Sequence, residues 1–163
     1  VSITGDVSNH DRDTDQMQLG MSADRSYDTA IYHRLSQIYT EPNWHIARTY
    51  YTSSTVGDFI TTTHHGHARG ASMKENNSGV MIPRWAWLSQ QQKVYDFDLW
   101  VQGHHHSSNV ISSEFFSHVS NGCTVGHNGY ANDSGFRPEA PSQQLIFINH
   151  ETRTLDHVQT LYA

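Results

Sequence analysis

Short apolar runs of strand type, each ending in a polar loop, dominate the pattern of this chain. Phe97-Asp98-Leu99-Trp100-Val101-Gln102 reads as a buried strand that stops at Gly103. Phe59-Ile60-Thr61-Thr62-Thr63 is a second, opened by the Gly57-Asp58 turn, and Leu145 to Asn149 is a third. Val1 to Thr4 is a short strand, and His45 to Tyr51 is β-rich. Ser117 to Val125 holds a strand interrupted by Asn121-Gly122, and the tail around Leu155, Val158 and Leu161 predicts an edge strand. Two stretches are helical instead. Tyr27, Ile31, Leu35 and Ile38 recur at helical spacing and predict a helix from about Arg25 to Tyr39. Asp24 would cap it, Thr40-Glu41-Pro42-Asn43 would stop it, and the four apolar residues would face the core. Pro83 opens a shorter helix through Trp85, Trp87 and Leu88 to about Lys93. Asp13–Ala23, Ala68–Gly79 and Gly126–Pro141 read as loops. No repeat, linker or low-complexity segment divides the chain, so residues 1–163 are read as one domain of α/β or α+β class.

Composition narrows this picture in three ways. With 163 residues and 36% hydrophobic content the chain can bury a core. A net charge of -6 gives no basic footprint for non-specific nucleic-acid binding, although nucleic acid remains open as a substrate because bound cations bring their own charge. The single cysteine, Cys123, excludes an intrachain disulfide and points to a reducing compartment. No apolar run is long enough to span a membrane and no signal segment is visible; the lone cysteine is what makes a cytoplasmic location the expectation.

The anomaly is the 13 histidines. Three strand-to-loop junctions carry seven of them: Asn9-His10-Asp11, His64-His65-Gly66-His67 and Gly103-His104-His105-His106. Ligands of open α/β sheets bind outside the carboxyl ends of the strands, so three such junctions on one edge would bring these groups together. Imidazole suits Zn, Mn, Fe, Ni and Cu. If 104–106 continue as extended chain, His104 and His106 point the same way and can share a site while His105 faces elsewhere. His33, His45, His118, His150 and His157 read as surface or packing residues, and His127 is undecided.

The motifs also occur in a telling order. Gly5-Asp6-Val7-Ser8-Asn9-His10-Asp11-Arg12 is followed by Ser26-Tyr27-Asp28 and Thr63-His64-His65-Gly66-His67. Then come Gly103-His104-His105-His106, Asn121-Gly122-Cys123, and Tyr130-Ala131-Asn132-Asp133-Ser134-Gly135-Phe136-Arg137-Pro138-Glu139. Over nearly its whole length the chain resembles the calcineurin-like metallophosphoesterase superfamily, and more narrowly its phage-encoded members. The Asp-x-His and Gly-Asp-x-x-Asp motifs that open that superfamily are absent here. Ser8, His67 and Cys123 stand where the family pattern has Gly, Asp and Ser.

The resemblance implies an α/β fold, part of a metallophosphoesterase-like β-sandwich flanked by helices. The missing motifs would come from an N-terminal segment or a partner chain, which makes this chain a C-terminal portion. It implies hydrolysis of a phosphomonoester or phosphodiester, with nucleic acid as one possible substrate. Asn9, His65 and His104 would ligate one metal, and His106 would serve the other. His10 would protonate the leaving alkoxide, Asp11 would orient His10, and Arg12 would contact the phosphate. The expected cofactor is a pair of divalent cations, Mn²⁺ first, with Zn²⁺, Fe²⁺ or Ni²⁺ as alternatives. His64, His67 and His105 are expected beside the ligands, orienting them. A phage origin would place the protein in the host cytoplasm. A chain lacking half of its sheet should also expose apolar surface and be prone to oligomerise. The competing expectation is a metal-binding or interaction module that has kept the fold and lost catalysis.

Overall fold

A computed structural model describes residues 1–8, 26–67, 74–75, 81–82, 85–126, 128–133 and 138–163. In chain order the elements are β1 (Ser2–Gly5), α1 (Tyr27–Ile38), β2 (Asn43–Ile46), β3 (Tyr51–Val56) and β4 (Phe59–His64). They continue with β5 (Lys74–Glu75), β6 (Met81–Ile82), α2 (Trp85–Tyr95), β7 (Leu99–Gln102), β8 (Asn109–Ser112) and β9 (Ser117–Ser120). The chain ends with α3 (Gly129–Asp133), β10 (Ser142–Asn149) and β11 (Thr154–Tyr162).

The organising unit is a five-stranded sheet in the order β3-β4-β7-β9-β8. Its three middle strands are parallel, with Thr61, Leu99 and Ser117 level at one end and His64, Gln102 and Ser120 level at the other. Side chains alternate across a strand, so that register sorts the sheet into two faces. Leu99 and Val119 join Phe59 on one face, under Ile146, Ile148 and Val158 of the β10–β11 hairpin. Trp100 on the other face packs with Leu88 of α2, Phe97 and Phe116. The ring pairs Phe97–Trp100 and Phe97–Phe116, at 5.1 and 5.3 Å, make that core largely aromatic.

Asp98 ties the layers together. Its Oδ2 accepts the Ile60 N–H at 2.8 Å, its own N–H reaches the Ile60 carbonyl, and its Oδ1 accepts from Arg153 in the turn of the β10–β11 hairpin at 2.8 Å. Donating to the Asp98 carboxylate raises the pKa of the Arg153 guanidinium above its usual value.

Helix α1 differs from its expected form at both cap and face. Ser26 is the N-cap, its side chain accepting the Asp28 N–H, and the helix starts at Tyr27, after the Arg25 start expected. The stripe expected in the core is largely outside: Tyr27, Ile31 and Ile38 are 61%, 54% and 56% exposed. The helix instead turns Thr29 and Tyr32 inward, because it sits on β1 at Gly5, where an added Cβ would meet the Tyr32 ring at 2.5 Å. Asp28 fixes the same orientation by accepting the Ser8 N–H at 2.8 Å. The underlying β1–β2 pair is parallel and forms its own two-stranded sheet.

The second helix, the strands at 59–63, 97–102 and 145–149, and the terminal edge strand form where expected, within a few residues. Strands β3, β5, β6 and β8 and helix α3 were not expected; β5 and α3 lie inside stretches read as loops. The β-rich stretch expected at 45–51 is instead the connection between β2 and β3 with one or two residues of each strand. Most of the expected loops at 13–23 and 68–79 lie outside the described residues. Among the described residues, no helix is long and apolar enough to cross a membrane.

Replacing Asp98 with Ala leaves the Ile60 N–H without its acceptor and should cost about 1–3 kcal/mol, whereas Arg153→Ala should change stability little. Urea unfolding of the two variants against the parent chain checks the contrast.

Candidate metal centre

The site lies where the parallel strands end. One residue past His64, the chain leaves β4 as His65-Gly66-His67; one past Gln102, it leaves β7 as Gly103-His104-His105-His106. Their register places these exits side by side. Two features hold them together. The Gly103 N–H donates to the His65 carbonyl at 3.1 Å. Gly66 adopts φ 110° and lies so close to the other loop that an added Cβ would sit 2.8 Å from the Gly103 carbonyl oxygen and 3.0 Å from the His104 Cβ. Only glycine satisfies both the left-handed backbone and the lack of space.

The result is a pair of converging imidazoles. His104 Nδ1 and His65 Nε2 are 3.1 Å apart, with the rings edge to face at 5.0 Å. Two nitrogen ligands of one metal, each about 2.1 Å from it and about 90–110° apart, lie about 3.0–3.4 Å from one another. The pair therefore fits two positions on a divalent cation, and without metal one ring can donate to the other at the same distance. His67 stands 5.7 Å from His65 and 6.5 Å from His104 between ring centres, and His105 stands 5.1 Å from His104. Both are neighbours of the pair, as expected.

His104 reaches this position by a turn, and strand alternation plays no part. Its φ is 70° and that of His106 is 56°, so 103–106 is not the extended segment expected from the sequence. His106 is half-buried in the same loop. Asn9, His10, Asp11 and Arg12, the other residues singled out, lie outside the described residues, as does His127. Among the described residues no group of three or more His, Cys, Asp or Glu is arranged to hold a metal ion.

Beneath the loops runs a buried polar layer. Thr62, His64, Gln102, His118 and Ser120 share the face covered by α2 and are all buried. His64 is 2% exposed, and its Nδ1 accepts the Gly66 N–H at 2.8 Å, which leaves the ring proton on Nε2. Burial first, then His67, His65 and His104, push its pKa down to about 3. His118 is fully buried, with no hydrogen-bond partner for either ring nitrogen among the described residues; burial and then His105 lower its pKa to about 4. Of the five histidines read as surface or packing, His118 is the buried one, and the other four are exposed. Asp6, just past β1, is a half-buried carboxyl. Burial raises its pKa despite the nearby hydroxyls of Thr63 and Thr52, which favour the charged form.

His64 and Gly66 are the residues sequence reasoning undervalued. The signal for His64 was its phase, since Ile60, Thr62 and His64 fall on one face of a strand. The strand was expected to stop at Thr63, which placed His64 in the loop.

No protein-family model and no curated protein sequence matches the chain. Among solved structures, Vacuolar Protein Sorting 29 from Cryptosporidium parvum aligns with a TM-score of 0.51 and 15% identity, over 83% of this chain and 77% of that one. A novel archaeal phosphodiesterase aligns with a TM-score of 0.50 and 14% identity, over 84% of this chain and 64% of that one. At these identities the likeness speaks for the fold. The chain has a mixed α/β fold of the metallophosphoesterase type, and this agrees with the superfamily that its motifs resemble.

Two measurements check this geometry. An unfolded histidine takes up its proton near pH 6.5, whereas His118 refuses it down to about 4, and His64 acts in the same sense. Stability should therefore fall as the pH drops from about 6.5 to 4, and His118→Leu should flatten that fall in melting temperatures taken across the range. Gly66→Ala should lower the melting temperature at every pH, since it strains the backbone and drives a methyl group into the Gly103 carbonyl.

Proposed function

We propose that this chain carries the histidine-bearing part of a metal-dependent phosphoesterase centre. The observation that supports the reading most is the 3.1 Å approach of His65 Nε2 and His104 Nδ1 across two adjacent parallel strand ends. An α/β fold with a phosphodiesterase among its structural neighbours agrees with it. In this reading His65 and His104, with Asn9, hold one cation, and His106 contributes to a second. When bound, such a pair lowers the pKa of a bound water and clamps phosphate oxygens. Mn²⁺ is the first candidate, because the carboxylates needed to complete the site would make it mixed nitrogen–oxygen.

The chain's own residues do the remaining work. In this reading His10, which follows Asn9 directly in sequence, donates a proton to the leaving alkoxide. Asp11 orients that imidazole, and Arg12 binds the phosphate through paired N–H donors. The carboxylates of the missing Asp-x-His and Gly-Asp-x-x-Asp motifs come from an N-terminal segment or partner chain, so this chain acts as the C-terminal part of a two-part, phage-type enzyme. The substrate is a phosphate monoester or diester, with nucleic acid among the diesters to be tried, and the setting is the host cytoplasm.

The test is hydrolysis of bis(p-nitrophenyl) phosphate and p-nitrophenyl phosphate with Mn²⁺ by the native particle, including any polypeptide that co-purifies. Turnover is expected, with His65→Ala and His104→Ala reducing it at least about 100-fold. His10→Asn should reduce kcat by about 10²–10⁴ while leaving bound metal unchanged. A particle that holds stoichiometric metal and hydrolyses neither ester would instead be a non-catalytic binding module.

A further inference from the structure

We propose that His64 is a positioning residue: through its Nδ1 it fixes the Gly66 amide and so sets the turn that presents His65 to His104. The inference rests on reading His65 and His104 as metal ligands, and it assigns a function to the histidine beside them.

The argument starts from register. His64 is the last residue of β4 and pairs with Tyr51 of β3, so their side chains stand on the same face. The rings stack at 4.5 Å with an interplanar angle of 20°, and Tyr51 itself stacks on Tyr95 at 5.3 Å. The His64 ring also stacks against His67 at 5.0 Å and 26°. Stacking on these rings sets the plane of the imidazole, and within that plane the hydrogen bond from the Gly66 N–H, 2.8 Å away, sets which edge carries Nδ1.

The hydrogen bond closes a turn around His65. With the Gly66 N–H held from below by His64 and the His65 carbonyl held from the side by the Gly103 N–H, the peptide group that links His65 to Gly66 is anchored at both its ends. The backbone under His65 then has little freedom to swing its imidazole from His104. An acceptor at this position is required, and a ring of similar bulk without one would not serve. Asparagine places an acceptor oxygen the same number of bonds from Cα as histidine Nδ1; leucine fills similar space with no acceptor.

The experiment uses the native particle, with any polypeptide that co-purifies, and has two readouts. In metal-free protein, long-range ¹H–¹⁵N spectra of the imidazoles should show His64 with its proton on Nε2. His64→Leu should displace the ring resonances of His65 and His104, and His64→Asn should restore them. In Mn²⁺ titrations by calorimetry, His64→Leu should weaken binding about 10–100-fold, as loss of an outer-shell partner does, while His64→Asn stays within about 3-fold of the parent. Unmoved His65 and His104 resonances in His64→Leu, or a proton on His64 Nδ1, would overturn the positioning role. Parent-like Mn²⁺ affinity in His64→Leu alongside lost affinity in His104→Ala would also overturn it, while leaving the metal reading intact. Absence of Mn²⁺ binding by the parent protein, with the resonances behaving as expected, would sink the metal reading and leave the turn-setting role standing.

Discussion

The contact on which the candidate site depends is the lock between two loops, made by backbone groups. The Gly103 N–H donates to the His65 carbonyl, and Gly66 leaves the gap into which Gly103 and His104 fit. Parallel register brings the strand ends level, but level ends alone do not make two side chains converge. Convergence comes from left-handed backbone at Gly66 and at His104, and for His104, a residue with a Cβ, that conformation carries a cost. The surrounding sheet supplies the rigidity that holds it.

That rigidity comes from unequal faces. One face of the sheet packs on the β10–β11 hairpin through Phe59, Leu99, Val101 and Val119. The other is aromatic at its base and polar at its top, where Thr62, His64, Gln102, His118 and Ser120 are buried beneath the loops. Buried polar groups are costly unless they are hydrogen-bonded. Some of these are bonded: Thr62 to Ser53, Gln102 to the Trp100 indole, His64 to the Gly66 amide. A layer of this kind adds less to stability than an apolar one would.

Much of this was legible from residues alone, and the failures have physical causes. The strand around Leu99 to Gln102 announced itself because a strand buried on both faces reads as a continuous apolar run. The convergence of His65 with His104 followed from strand-end logic and motif order. The route taken by His104 did not, because a positive φ at a non-glycine residue leaves no mark in sequence. Helix α1 was recognised by its spacing but rotated wrongly: Tyr32 and Gly5, far apart in sequence, decide which side faces in, and no periodicity of the helix alone records that. Strand β8 is short, and only two of its residues, Val110 and Ile111, are apolar, too little for a pattern.

The central claim is that His65 and His104 share one cation. The most direct test is anomalous diffraction from crystals of the native particle grown with Mn²⁺. The account predicts a peak within about 2.3 Å of both His65 Nε2 and His104 Nδ1. A peak bonded to neither residue, or none in crystals of a particle that carries stoichiometric Mn²⁺ in solution, would contradict it.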